Sequence, residues 1–186
     1  MNLWRTSLYT YADAPLSYIG HQIGRFGPMI MFFYSLFLLR GKAQTMSVFI
    51  AGFMVQLLAN VVLKLVVRQP RPDKSNRQGT VLSALLDESR QQVPERFGFR
   101  SAHSYGMPSG HAQSITYCLA FVLAAIGCVG NVAAIAVLAA FVLITCVQRV
   151  TSRRHYVDQV IVGAAVGAGI AIYMVRLART ILAEAS

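Results

Sequence analysis

Apolar residues run through this chain in blocks about as long as a bilayer crossing, and charge falls between the blocks. From Thr45 to Val67 the larger polar side chains, Gln56, Asn60 and Lys64, stand four residues apart, which puts all three on one helical face. In a spanning helix that face must look into protein or water, not lipid. From Tyr105 to Gln148 there is no Asp, Glu, Lys or Arg. That run is too long for one crossing of about 20 residues and breaks at Gly127 to Asn131, so it predicts two helices joined by a tight turn. A further block covers about His155 to Val175, where Gly163 and Gly167 form a small stripe that admits close approach of another helix. Gly24 to Leu39 is a shorter block, with Pro28 suited to a helix start and Arg25 and Arg40 placed to snorkel from its ends. A chain in lipid must satisfy its backbone polar groups internally. The expected class is therefore all-α: an integral membrane helical bundle of about five transmembrane helices.

Between the blocks, residues 68–106 form one polar connection containing Pro70, Pro72 and Pro94, within which VLSALLDESRQQV is expected to make a short helix. The N-terminal MNLWRTSLYTYADAP lacks a continuous apolar core and a cleavage site. With Trp4, Leu8 and Tyr11 near one face it reads as an interfacial helix. No internal repeat is visible, and the whole of 1–186 reads as a single membrane domain.

Composition narrows what such a bundle is for. The chain is 55% hydrophobic and 13% charged, with a formal net charge of +10. A basic excess of that size suits nucleic acid, anionic lipid head groups or a phosphate-bearing substrate, and membrane context disfavours nucleic acid. Cys118, Cys128 and Cys146 lie in apolar runs without paired or metal-like spacing and read as small core residues.

If the helices alternate in direction, Lys64, Ser109, Arg149 and His155 emerge on the same side of the membrane. Three polar clusters then share one rim: KLVVRQPRP from Lys64, PSGH from Pro108, and RVTSRRHYVDQ from Arg149. Backbone N–H groups at a helix start bind anionic oxygens, and Lys and Arg add charge, Arg with a two-pronged grip. An oxyanion site, with phosphate the expected ligand, follows. Two histidines at one phosphate suggest divided labour, a neutral imidazole attacking phosphorus and a protonated one serving the leaving oxygen. No cluster of acids and histidines suits a metal and no other cofactor is called for, so the cations would carry the electrostatic load.

These clusters resemble the three signature motifs of the type 2 phosphatidic acid phosphatase superfamily. Its first motif, Lys, six residues, Arg-Pro, is matched by Lys64 and Arg71-Pro72; its Pro-Ser-Gly-His is intact at Pro108 to His111. In the third, Arg149 is followed after five residues by His155. The resemblance covers roughly residues 45–175. It implies that His155 is the nucleophile and His111 the general acid, and that Lys64, Arg71, Ser109, the Gly110 N–H and Arg149 hold the phosphoryl oxygens. Two positions depart from the family pattern. Gln148 stands where the third motif has Ser, and Gln159 stands where it has the Asp that orients the nucleophile, with Asp158 one residue early. Register favours Gln159 as the orienting residue; the alternative is Asp158 reaching from a shifted turn.

The Gln at 159, with Tyr105-Gly106-Met107 before the second motif and Gln113 after its His, resembles the dolichyldiphosphatase branch. The implied reaction is metal-independent hydrolysis of a polyprenyl or dolichyl diphosphate to the monophosphate through a phosphohistidine. Phosphatidate or phosphatidylglycerol phosphate is the alternative substrate, and a non-catalytic phospholipid-binding protein the alternative class. The expected place is an endoplasmic reticulum or bacterial inner membrane. Loop cations by themselves put the rim in the cytoplasm, whereas the resemblance puts it on the lumenal or periplasmic face. Several polar residues have blander readings. Gln56 and Asn60 suit interhelical hydrogen bonds, Ser109 an ordinary helix cap, Arg153 and Arg154 head-group contacts, and His21 and His103 a loop or surface.

Overall fold

The computed structural model describes residues 15–72, 105–126 and 132–184. The expected interfacial helix around Trp4, the VLSALLDESRQQV helix, His103 and the break at 127–131 lie outside the described residues. Within them are five helices and no strand: α1 (Pro15–Leu38), α2 (Ala43–Val67), α3 (Gly110–Ile126), α4 (Val132–Thr151) and α5 (Val157–Glu184). The all-helical class is as the periodicity predicts. Three of the helices, α2, α4 and α5, are long and apolar enough to cross a membrane. With 17 residues α3 is about 25 Å long, short of a full hydrocarbon thickness.

That short helix is the hub. It packs against α1, α2, α4 and, most extensively, α5. Its Ile115, Tyr117, Cys118, Phe121 and Val122 are buried with Phe49 of α2, Met31 of α1, Leu138 of α4 and Ala171 and Met174 of α5. The small stripe of α5 faces α3, as its composition leads one to expect. A Cβ at Gly163 would lie 2.5 Å from the Ser109 carbonyl oxygen, and one at Gly167 would collide with the Gln113 carbonyl. Outward surfaces carry exposed Leu58, Val66, Leu143, Ile161 and Tyr173, which suits a lipid surround.

Two boundaries differ from expectation. α1 begins at Pro15, so Pro28 sits inside the helix and not at its start. The proline takes away the N–H that would serve Gly24 and loosens that turn. α5 runs on to Glu184, nine residues past the expected end, through Arg176 and Arg179, and Arg179 Nη2 donates to the Ala124 carbonyl at 2.6 Å. A side chain that docks on the end of a neighbouring helix keeps the last turns of α5 against the bundle.

Candidate active site

The expected face of α2 is buried: Gln56, Asn60 and Lys64 all point inward, and they do so along the upper half of α3. Asn60 Nδ2 donates to Gln113 Oε1 at 2.8 Å and to the Pro108 carbonyl at 3.3 Å, Gln113 Nε2 to the Gln56 carbonyl at 2.6 Å, and Gln56 Nε2 to Ser114 Oγ at 3.1 Å. This ladder ties α2 to the start of α3 and sets the height of the Pro-Ser-Gly-His turn against Lys64.

Beyond Lys64 the chain reverses at Arg68, which adopts a left-handed conformation (φ 51°) while its N–H closes on the Lys64 carbonyl at 3.1 Å. The following residues run alongside the segment that leads into α3. Gly106 N–H donates to the Gln69 carbonyl at 2.8 Å and Arg71 Nε to the Tyr105 carbonyl at 3.4 Å. Ser109 N–H reaches across to the Gln159 carbonyl at 2.9 Å. At the end of α4 the chain turns through Arg153, also left-handed (φ 52°), and the N–H groups of Arg154 and His155 both donate to the Arg149 carbonyl, at 3.0 and 3.2 Å. Arg149 and His155 are thus locked to each other by backbone.

The result is one cavity of about 720 Å³ whose wall includes Lys64, Arg71, Gly110, His111, Arg149 and His155. The three clusters that the sequence places on one rim do meet. Arg25, Phe26, Pro28 and Met29 of α1, Leu57 and Asn60 of α2, Ser114 of α3, and Gln148 and Arg154 complete the lining among the described residues. Among the described residues, five cationic ones and no carboxylate line it.

His155 is buried (5% exposed) between two oxygen acceptors. Its Nδ1 lies 2.9 Å from the Gly106 carbonyl and 3.1 Å from Gln159 Oε1. Both accept, so the ring proton sits on Nδ1 and Nε2 carries the lone pair. Burial first, and the guanidinium of Arg71 second, lower the His155 pKa to about 4, which keeps the ring neutral at physiological pH. Arg71 is likewise held below its ordinary range, by burial and then by Arg154. Cations pressed together in this way favour an anion between them.

The orientation of Gln159 is dictated by its neighbours. Its Nε2 donates to the Pro70 carbonyl at 2.8 Å and to Gln69 Oε1 at 3.0 Å, so Oε1 must face His155. The same Oε1 accepts from the Tyr156 N–H at 3.3 Å, the backward reach of a capping box at the start of α5. Asp158 is not at the ring. It is exposed, and its Oδ2 accepts from Gln69 Nε2 at 2.9 Å. One residue of helical register separates the two positions by about 100°, and the structure brings Gln159 rather than Asp158 against His155.

Ser109 is fully buried, and among the described residues its Oγ has no hydrogen-bond partner. It is therefore not the helix cap that its position suggests. Arg149 Nε is in the same condition. His111 Nε2 lies 3.2 Å from the Arg25 carbonyl, an acceptor, so this ring carries its proton on Nε2.

Three participants escape a reading of the sequence. Arg25 and Arg154, which look like interfacial charges, both line the cavity, whereas Arg153 does not. Gln69 lies in the middle of the first cluster and touches both Gln159 and Asp158. The one signal for α1 is its glycines. A Cβ at Gly24 would lie 2.5 Å from Gln148 Cγ and one at Gly27 2.5 Å from Thr145 Oγ1, so α1 is pressed against α4 where it meets the cavity.

A helical bundle with a cation-lined cavity, an oriented neutral histidine and a second histidine held by a backbone carbonyl is a site suited to an anionic, phosphate-bearing group. Comparison with protein families matches residues 44–182 to the PAP2 superfamily, and the chain belongs to that family. Membership places it among phosphatases that act on lipid-type phosphates. No curated protein matches the chain, and no solved structure matches it.

Proposed function

We propose that this protein hydrolyses a polyprenyl diphosphate to the monophosphate, with His155 as nucleophile and His111 as general acid. The observation that carries the reading is the cavity lining, which among the described residues holds five cations, no carboxylate and a histidine whose lone pair is on Nε2. Lys64, Arg71 and Arg149, with the Ser109 hydroxyl and the Gly110 N–H, hold the phosphoryl oxygens. Arg25 and Arg154 exceed the needs of one phosphoryl group and suit a second phosphate. The apolar part of the wall, Phe26, Met29 and Leu57, suits the start of an isoprenoid tail.

In the first step the Nε2 lone pair of His155 forms a bond to phosphorus, the bond from phosphorus to the bridging oxygen breaks, and His111 gives its proton to that oxygen. The lipid monophosphate leaves, and the phosphoryl group stays on His155. In the second step His111, now lacking that proton, takes one from water; the water oxygen attacks phosphorus, the N–P bond breaks, and inorganic phosphate is released. Gln159 keeps the ring turned to phosphorus and stabilises its charged state through Nδ1–H.

The test is phosphate release by purified protein in detergent, with chelator, from prenyl diphosphates, prenyl monophosphates and glycerolipid phosphates. Fastest release from the prenyl diphosphates, with an acid-labile phosphoenzyme absent from His155→Ala, is the expected result. Normal release by His155→Ala overturns the assignment, and preference for phosphatidate or phosphatidylglycerol phosphate transfers the chemistry to a glycerolipid. The resemblance puts the reaction on the lumenal or periplasmic face.

A further inference from the structure

The position of Gln159 poses a physical question that the reaction above does not answer. A carboxylate there would supply full negative charge to the His155 imidazolium, yet the chain has an amide. The structure shows why a carboxylate does not fit. The atom of residue 159 that points away from the ring faces two acceptors, the Pro70 carbonyl at 2.8 Å and Gln69 Oε1 at 3.0 Å. Only a donor is satisfied there, and a carboxylate oxygen would be buried against two oxygens.

Charge enters from one amide further out. Gln69 accepts from Gln159 with Oε1 and donates with Nε2 to Asp158 Oδ2 at 2.9 Å. Carboxylate, amide, amide and imidazole therefore form a chain of three hydrogen bonds, all pointing the same way: each N–H donates towards Asp158, beginning with Nδ1–H of His155. Aligned amides in a partly buried chain polarise one another, so the charge at the end strengthens the bond at the ring. No proton passes along the chain; each amide keeps its own.

We propose that Gln69 and Asp158 are positioning residues that act on His155 through Gln159, and that together they replace a single carboxylate at position 159. Gln69 sets the orientation of the Gln159 amide, and Asp158 sets that of Gln69 while supplying the negative charge. The proposal rests on His155 being the nucleophile.

The test uses purified full-length protein and farnesyl diphosphate as probe, with His155→Ala as the control for the underlying reading. Asp158→Asn and Gln69→Ala are each expected to lower kcat about threefold to tenfold with little change in KM, the size a charge at that distance has in a medium between protein and water. Because both variants break one chain, the double variant should be no slower than the slower single. The acid limb of the kcat/KM profile should move to lower pH in each, since the imidazolium loses its counter-charge while the cations around it stay: Lys64 from α2, Arg71, Arg149 from α4 and His111 from α3, when protonated. Moving the charge inward, with Gln69→Glu in the Asp158→Asn background, should restore kcat and return the acid limb to at least its original pH. Additive losses, an unmoved acid limb or failure of that rescue would overturn the relay while an inactive His155→Ala leaves the nucleophile standing. An active His155→Ala would instead sink the nucleophile, and the relay with it.

Discussion

His111 Nε2 lies 3.2 Å from the backbone carbonyl oxygen of Arg25, so α1, which ends before residue 44, helps to build a site whose motifs all belong to residues 44–182. The contact depends on where α1 sits, and that is governed by two glycines against α4. Gly24→Val puts branched carbons where Gln148 now packs, with a Cβ 2.5 Å from Gln148 Cγ. Overpacking of this kind costs about 1–3 kcal/mol. The expected outcome is a lower thermal midpoint together with a fall in kcat larger than the change in KM, because His111, the proposed general acid, loses its anchor.

Gly163→Ala tests the contact between α5 and the turn that precedes α3. The new methyl would meet the Ser109 carbonyl oxygen at 2.5 Å, and backbone cannot swing aside as a side-chain end can. Stability should fall by about 1–3 kcal/mol. Ser109 and His111 should also shift relative to His155, so that phosphate release drops more than bound lipid does. Unchanged stability and turnover would show that the two helices have room that the structure denies them.

Asn60→Leu removes two hydrogen bonds, leaving Gln113 Oε1 and the Pro108 carbonyl to find other donors. Loss of about 1–3 kcal/mol is expected for buried partners left unpaired. Asn60→Asp should be as harmful as Asn60→Leu, since a carboxylate cannot donate to either oxygen. Denaturation in detergent micelles distinguishes these outcomes from a merely lipid-facing residue, for which Leu would be neutral or better.

Arg149→Lys keeps the charge but gives up the planar two-pronged grip. The Nε of Arg149 is buried and, among the described residues, unpartnered, as its proposed role at the phosphoryl group requires. A loss of about 2–4 kcal/mol in transition-state stabilisation, or roughly 30- to 1000-fold in kcat, is expected, the usual size for one preorganised donor. Arg153→Lys, outside the cavity, should leave turnover unchanged.

The acid limb of stability follows from His155. Its pKa is lowered from 6.5 to about 4 by burial and then by Arg71, so the folded state favours the neutral ring. The unfolded chain takes up the proton first as pH falls. Stability from this group is therefore present above about pH 6.5 and is lost progressively towards pH 4. The thermal midpoint in detergent should fall between pH 7 and pH 4.5, and fall less in His155→Gln. Inorganic phosphate, bound by the folded site alone, should raise the midpoint, and more so in the native protein than in Arg149→Lys.

The parts legible in the sequence are those set by local spacing. Apolar blocks define helices because lipid forbids an unpaired backbone, and polar residues four apart on α2 declare an inward face. The three clusters sit at helix ends, and alternation of the helices alone puts Lys64, Ser109, Arg149 and His155 on one rim. The hydroxyl of Ser109 shows the limit of such local rules. A serine before a helix predicts a cap, but here the Ser109 N–H is drawn to the Gln159 carbonyl and the Oγ is left without a partner among the described residues.

Sequence alone therefore determined the helical class, the membrane setting and the family of residues at the site, since each rests on periodicity or on contacts a few residues long. Tertiary structure alone decided which groups finish the site: Arg25 against His111, 86 residues apart, and Gln69 against Asp158 and Gln159, 89 and 90 residues apart. Hydrogen bonds of that reach depend on how helices pack, and no spacing along the chain encodes which carbonyl or amide a side chain will meet.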